Sequence, residues 1–315
     1  VAAYPPTTRP TLYFIGVTTG KSSIMTVFPA WAEALGLADA VIRGIDFPLH
    51  ADPAAYREAV AFIREDPLSR GALITTHKID LFHASRDLFD ELDPHAARLD
   101  EVSCLSKSGG RLVGHAKDPI SAGLAFDAFV PAGHFARTGV ELFTIGAGGA
   151  AIALTWHAMH ARPDRPARIV VSDRSPERLE EIRRLHGEMG RTVPVDYVLA
   201  QGPADNDTAL RGLKPGSVVV NATGLGKDAP GSPLGDDAPF PRGGLVWDLN
   251  YRGDLLFLDQ ARRQQAARGL TVEDGWTYFI HGWTRAIAEI FHIEIPTSGP
   301  RFDELSRIAA SAGRG

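Results

Sequence analysis

The stretch Phe143-Thr144-Ile145-Gly146-Ala147-Gly148-Gly149-Ala150-Ala151 decides the fold. It sets a G-x-G-x-x-A pattern between an apolar run predicted as a strand, 140–145, and a stretch predicted as a helix, 151–160. Missing side chains at Gly146 and Gly148 let the backbone turn tightly and approach a pyrophosphate. The helix that follows offers unpaired N–H groups and a partial positive charge. A bare glycine pattern says little, and glycines chosen only for packing are the rival reading. The strand–turn–helix context favours a dinucleotide.

Working outward, the second half continues with predicted strands at 168–172, 195–200, 217–221 and 245–249, and a charged helix from Pro176. Five strands alternating with helices predict a doubly wound parallel sheet, with its crevice at the carboxyl ends of the strands. The first half alternates in the same way. Strands are expected at 11–16, 40–46 and 71–75, with helices at 23–35, 53–65 and 79–89. Asp52 and Pro53 supply an N-cap and first-turn proline. Lys107-Ser108-Gly109-Gly110 predicts a hairpin turn.

The fold class is therefore α/β: an N-terminal α/β domain that binds substrate, and a C-terminal Rossmann-like domain with a parallel sheet. The expected boundary is near Pro131, giving residues 1–130 and 131–275, with helices in 276–315 packing back towards the first domain. The proline-rich start reads as an extended arm, and the end as a short helix fraying into Gly313-Arg314-Gly315.

With 315 residues, the chain suits two domains. A net charge of −5 and the absence of a basic stripe argue against nucleic acid. Cys104 has no second cysteine to pair with, so a reducing, cytoplasmic setting is expected. No apolar run reaches the roughly 20 residues of a membrane span. A monomer or homodimer acting on a small molecule is expected.

At the end of the second strand of this half stand Asp173, Arg174 and Ser175. An acidic residue there accepts hydrogen bonds from ribose hydroxyls and favours NAD, whereas arginine and serine hold a 2′-phosphate and favour NADP. Asp173 comes first and repels a phosphate, so the balance leans to NAD.

Other motifs follow in order. The first half holds Gly71-Ala72-Leu73-Ile74-Thr75-Thr76-His77-Lys78, Glu101-Val102-Ser103-Cys104-Leu105 and Gly114-His115-Ala116-Lys117-Asp118. The second holds Asn221-Ala222-Thr223-Gly224-Leu225-Gly226, Asp248-Leu249-Asn250-Tyr251 and Asp274-Gly275. In this order, from about residue 11 to residue 292, the chain resembles the shikimate/quinate dehydrogenases. The resemblance implies an NAD(P)-dependent alcohol oxidoreductase with Lys78 and Asp118 as its catalytic dyad. It places Gly146, Ala147, Gly148, Gly149, Ala150, Asn221, Ala222, Thr223, Gly224, Leu249 and Gly275 along the cofactor. Ser22, Thr75, Ser103, Tyr251 and His281 fall at or beside substrate positions. The chemistry is sound on its own terms, because a desolvated lysine near a positive nicotinamide has a lowered pKa and serves as a base.

The departures gather on the substrate side. The family's Ser-x-Ser becomes Ser22 followed by Ile24. Its Asn-Val-Thr-x-Pro-x-Lys keeps only the lysine in register, as Lys78. Ser103 stands for an asparagine, Ala116-Lys117-Asp118 for Asn-Thr-Asp, Gly224 for a proline, and Gly282, beside His281, for a glutamine. Shikimate itself is therefore in question as substrate. Lys21, His77, His115, Lys117 and His281 suggest a more cationic pocket, suited to a cyclic or polyol hydroxy acid. His157 and His160 share a helical face but lack a third ligand, so no metal is expected. Asp205-Asn206-Asp207 lacks the rest of a calcium loop. A methylene-tetrahydrofolate dehydrogenase-like enzyme and a catalytically silent nucleotide-binding protein stay open as alternatives.

Overall fold

The computed structural model describes residues 4 to 227 and 229 to 313. The start of the expected N-terminal arm, Val1 to Ala3, and the last two residues of the chain lie outside the described residues. The chain divides into two compact units, Val1–Lys117 with Gly282–Gly315, and Asp118–His281.

The first unit is built on β1 (Thr11–Gly16), β2 (Val41–Asp46), β3 (Ser69–Ile74), β4 (Glu91–Leu92), β5 (Cys104–Ser108) and β6 (Arg111–His115), in the order β2-β1-β3-β5-β6-β4. β1 pairs in parallel with β2 and β3, and β5 returns antiparallel to β3. The hairpin to β6 reverses at Gly109-Gly110, as the sequence predicts. Around the sheet lie α1 (Ile24–Ala34), α2 (Pro53–Glu65), α3 (Lys78–Ser85) and α4 (Pro94–Leu99). Asp52 caps α2 by accepting the Ala54 N–H at 2.9 Å, and Asp93 caps α4 through the Ala96 N–H at 2.7 Å. One face of the sheet buries Tyr13, Ile15, Ala72 and Ile74 against Tyr56, Val60 and Phe82. On the other, Phe14 meets Trp283 edge to face.

The second unit starts with α5 (Asp118–Phe129) and α6 (His134–Thr138). Its sheet comprises β7 (Leu142–Ile145), β8 (Ile169–Asp173), β9 (Val195–Leu199), β10 (Val218–Asn221), β11 (Leu245–Asp248) and β12 (Thr271–Glu273). All pair in parallel, in the order β12-β11-β10-β7-β8-β9. Val218 and Val220 face one core and Val219 the other, as a parallel sheet covered on both sides requires. α7 (Gly149–Trp156), α8 (Pro176–Glu188), α9 (Pro203–Arg211) and α10 (Leu256–Arg268) complete the doubly wound pattern. α11 (Trp276–Phe291) starts in this unit and ends in the first, where α12 (Pro300–Gly313) packs on α1.

Beyond short elements such as α4, which the sequence reading did not mark, two features differ. The sheet has a sixth strand, β12, where five are predicted. The units part between Lys117 and Asp118 rather than near Pro131. α5 goes with the second unit because Ala125 and Phe126 are buried in its core. Gly123 of α5 also lies against His157, leaving no room there for a side chain.

Candidate active site

In the second unit the expected nucleotide residues gather at the carboxyl ends of β7, β8, β10 and β11. Gly146 follows β7 with φ +107°, and a Cβ there would stand 2.8 Å from the Ala222 carbonyl oxygen. Only glycine fits this bend. At Gly148 a Cβ would meet nothing nearer than Arg178 Nη1 at 3.6 Å, so the space over the turn is open. Gly148 is the N-cap of α7, and Gly149 and Ala150 form its first turn. A side-chain-free bend leading into a helix N-terminus fits a dinucleotide pyrophosphate.

Asp173, at the end of β8, accepts the Ala147 N–H on Oδ2 at 2.8 Å and the Ser175 N–H on Oδ1 at 2.9 Å. Its carboxylate thus holds the glycine turn. Ser175 is the N-cap of α8; its hydroxyl accepts the Arg178 N–H at 3.2 Å and donates to Glu177 at 2.7 Å. Arg174 is exposed.

Behind the turn lies a buried polar network whose centre the sequence reading assigned no role. Asn221 Nδ2 donates to Asp248 Oδ2 at 3.1 Å, and the Asn250 N–H to Asp248 Oδ1 at 2.9 Å. Asn221 Oδ1 accepts both the N–H and the hydroxyl of Thr223, and Asn250 Nδ2 donates to the Thr223 carbonyl at 2.9 Å. Burial pushes the Asp248 carboxyl up to about 7, against donation from the two asparagines. This network fixes the loop carrying Ala222, Thr223 and Gly224. The Leu249 N–H reaches the Asn221 carbonyl at 3.0 Å, and Gly275 packs so tightly on the Leu249 carbonyl that a Cβ would stand 2.0 Å from it. Asp248-Leu249-Asn250 was visible as a motif; the signal available was a carboxylate at the end of an apolar strand.

Tyr251 packs in this unit against Trp276 and Phe279, with ring centroids 5.3 and 4.8 Å apart. His281 is buried on α11.

In the first unit the structure brings Thr75, Lys78 and Ser103 to one end of the sheet. The Ile74 N–H donates to the Ser103 carbonyl at 2.8 Å, and the Val102 N–H to the Lys78 carbonyl at 3.4 Å. Lys78 is the first residue of α3 and half-buried; Thr76, two residues before it, has φ +64°. Ser103 Oγ accepts the Lys117 N–H at 2.8 Å. Ser22 is half-buried and ends the short turn of Thr19–Lys21. Asp118 opens α5 in the second unit.

Of the five side chains expected to make the pocket cationic, three have partners that bear on their charge. His77 is buried with its Nδ1 2.8 Å from the Tyr56 hydroxyl, and burial pushes its pKa down. Lys117 Nζ pairs with Glu289 Oε2 at 2.7 Å and lies 3.7 Å from Asp93 Oδ2. His115 lies 3.6 Å from each of these carboxylates and 2.8 Å from Ser106 Oγ. Burial alone would raise the Asp93 carboxyl, but donation from His115 and the Ala96 N–H, with Lys117 close by, holds it to about 2. Two carboxylates therefore neutralise this corner. His157 bonds Asp127 at 3.0 Å, and among the described residues no group of His, Cys, Asp and Glu is arranged to hold a metal.

No family model matches the chain. Curated relatives do match it. It is 32% identical over 187 residues to the shikimate dehydrogenase (NADP(+)) of Streptococcus gordonii, covering 58% of this chain and 61% of that one. It is also 32% identical over 200 residues to the shikimate dehydrogenase (NADP(+)) of Alkalilimnicola ehrlichii, covering 61% and 67%. The chain belongs to the shikimate/quinate dehydrogenase family. The match to the streptococcal relative thus spans about three fifths of that protein's length. The fold agrees over a longer reach. Quinate dehydrogenase from Corynebacterium glutamicum, solved in complex with NAD, superposes with a TM-score of 0.72 over 96% of this chain and 99% of its own, at 22% identity. Among the described residues, no helix of this family member is long and apolar enough to cross a membrane.

Proposed function

We propose that this chain is an NAD(P)-dependent oxidoreductase of the shikimate/quinate dehydrogenase type, acting on a secondary alcohol of a cyclic or polyol hydroxy acid. The observation that carries the reading is the Gly146 bend, packed on the Ala222 carbonyl at the carboxyl ends of a doubly wound parallel sheet. Oxidising the alcohol releases a hydride and a proton, and a bound nicotinamide supplies the acceptor for the hydride.

The remaining work falls to side chains. Lys78 takes the hydroxyl proton, and Asp118 orients the amine and accepts from the same hydroxyl region. In reverse, protonated Lys78 returns the proton to the developing alkoxide. The Gly146–Ala150 turn and the α7 N-terminus hold the pyrophosphate, and the loop of Ala222, Thr223 and Gly224 borders the ribose–nicotinamide half. Leu249 and Gly275 close that side. Ser22, Thr75, Ser103, Tyr251 and His281 are assigned to substrate. The acid-neutralised corner around Lys117 supports a substrate read by hydroxyl contacts rather than by an excess of cations. The lean to NAD rests on Asp173, whose carboxylate disfavours a 2′-phosphate. The single buried Cys104 supports a reducing, cytoplasmic setting.

The experiment is a panel of shikimate, quinate, other hydroxy acids and neutral polyols with NAD and with NADP, following the absorbance of reduced cofactor. At least one hydroxy acid is turned over. Lys78→Ala lowers kcat about 10²–10⁴-fold while nucleotide affinity, read by fluorescence titration, is kept. Nucleotide binding without turnover of any hydroxy acid, or an unaffected Lys78→Ala variant, overturns the reading.

A further inference from the structure

At the end of the first sheet where β1, β2 and β3 begin, opposite their carboxyl ends, lies a cavity of about 870 Å³. Pro10, Ala40 and Ser69, at the starts of those strands, form part of its wall, with the Gly109-Gly110 turn on another side. The antiparallel return of β5 brings Lys107 there, because Ser106 pairs with Gly71 near the start of β3. His292, just past α11, anchors the hairpin by donating from Nε2 to the Lys107 carbonyl at 2.7 Å.

Two cations on this wall have no carboxylate partner among the described residues. Lys107 is half-buried and its ammonium donates to the Asp66 carbonyl at 2.6 Å. The Asp66 carboxylate is saturated elsewhere by four donors, the N–H and hydroxyl of Thr7 and the N–H groups of Leu68 and Ser69. Arg70, exposed at the start of β3, makes no ion pair among the described residues. Burial lowers the Lys107 pKa, Asp66 opposes that, and the neighbouring Arg70 charge adds to it. Asp39 and Glu65 also line the cavity, yet neither pairs with Arg70 or Lys107. Arg64 is already taken by Asp90 at 3.1 Å.

Two like charges beside a concavity, without a counter-ion, repel each other, and an anion between them relieves that repulsion. Phosphate offers several acceptor oxygens to a guanidinium and an ammonium at once. The volume lies within the roughly 300–1,000 Å³ of small-molecule sites and far exceeds a bare phosphate. We infer that this cavity is a second ligand site, which takes a small phosphate monoester with its phosphoryl group between Arg70 and Lys107. The organic part rests against Leu37 and Phe291. The site is remote from the carboxyl ends of the strands and does not depend on the proposed reaction.

The test is calorimetric titration of the full chain at constant ionic strength with ribose 5-phosphate, inorganic phosphate and ribose. The ester binds saturably, phosphate more weakly, and ribose not at all. In Arg70→Gln/Lys107→Gln, whose melting temperature shows that it is folded, affinity for the ester falls roughly tenfold or more, because two charge-assisted contacts are lost. Arg70→Lys/Lys107→Arg keeps most of it. No saturable binding, unchanged binding in the glutamine variant, or phosphate binding as tightly as its ester overturns the assignment.

Discussion

The Ala147 N–H donates to Asp173 Oδ2 at 2.8 Å, so the residue expected to read the ribose also holds the glycine turn in place. One carboxylate thus ties the end of β8 both to the glycine turn and to the start of α8. Asp173→Asn keeps an acceptor for one backbone amide and removes the charge. With the negative charge gone, a 2′-phosphate is repelled less. The ratio of kcat/KM for NADP over NAD should rise about tenfold, equivalent to about 1.4 kcal/mol. Steady-state kinetics with both nucleotides check this, and an unmoved ratio would remove Asp173 from cofactor selection.

Gly146 makes a sharper demand. Alanine there must adopt φ near +107° and set its Cβ 2.8 Å from a carbonyl oxygen. The strain amounts to roughly 1–3 kcal/mol, and the turn can relieve it only by moving off Ala222. Gly146→Ala should lose nucleotide affinity at least tenfold, whereas Gly148→Ala, whose Cβ makes only an ordinary contact with Arg178, should fold normally. Thermal melting and fluorescence titration of the two variants separate these effects. Equal behaviour of both would mean that the bend is not the cradle.

These local demands explain why the glycine turn was legible in sequence: a positive φ and a close approach are written into the residue that must satisfy them. The core strands were legible for a similar reason, as apolar runs buried on both faces. β12 was missed because Thr271–Glu273 is three residues long, lies at the sheet edge and is at most half-buried. α4 carries the same Asp-Pro start as α2 but only six residues, too few for a helical period to emerge. The cationic reading of His115 and Lys117 failed for a tertiary reason. Glu289, the carboxylate that answers them, lies more than 170 residues along the chain, on a helix whose packing no local pattern reveals. The unit boundary was misplaced likewise, since α5 looks the same whichever core receives it.

Asp248 gives a pH dependence of unusual sign. Its folded pKa, about 7, lies above the ordinary carboxyl value of 3.8. Between these limits the folded state holds a proton that the unfolded state has released, so this group's contribution to stability falls as pH rises through that window. Asp248→Asn, which cannot titrate, should flatten the difference. Urea unfolding of both proteins at several pH values from about 4 to 7 measures it. A wild-type-minus-variant slope of zero, or one that rises with pH, would show that Asp248 is ionised in the folded protein.

Glu289 and Lys117 meet at 2.7 Å in a corner where Lys117 is 14% and Glu289 33% exposed. A pair this sheltered is screened less than a surface bridge, and removing one partner strands the other. Glu289→Gln should cost about 1–2 kcal/mol at neutral pH, less than a fully buried pair because one carboxylate face still reaches water. In a double-mutant cycle with Lys117→Met, the coupling should be about 1 kcal/mol, since Asp93 at 3.7 Å takes over part of the ammonium when Glu289 is lost. The cycle is read from unfolding free energies. Full additivity of the two substitutions would mean that Asp93 alone neutralises Lys117, and the charge balance of this corner would then rest on one carboxylate.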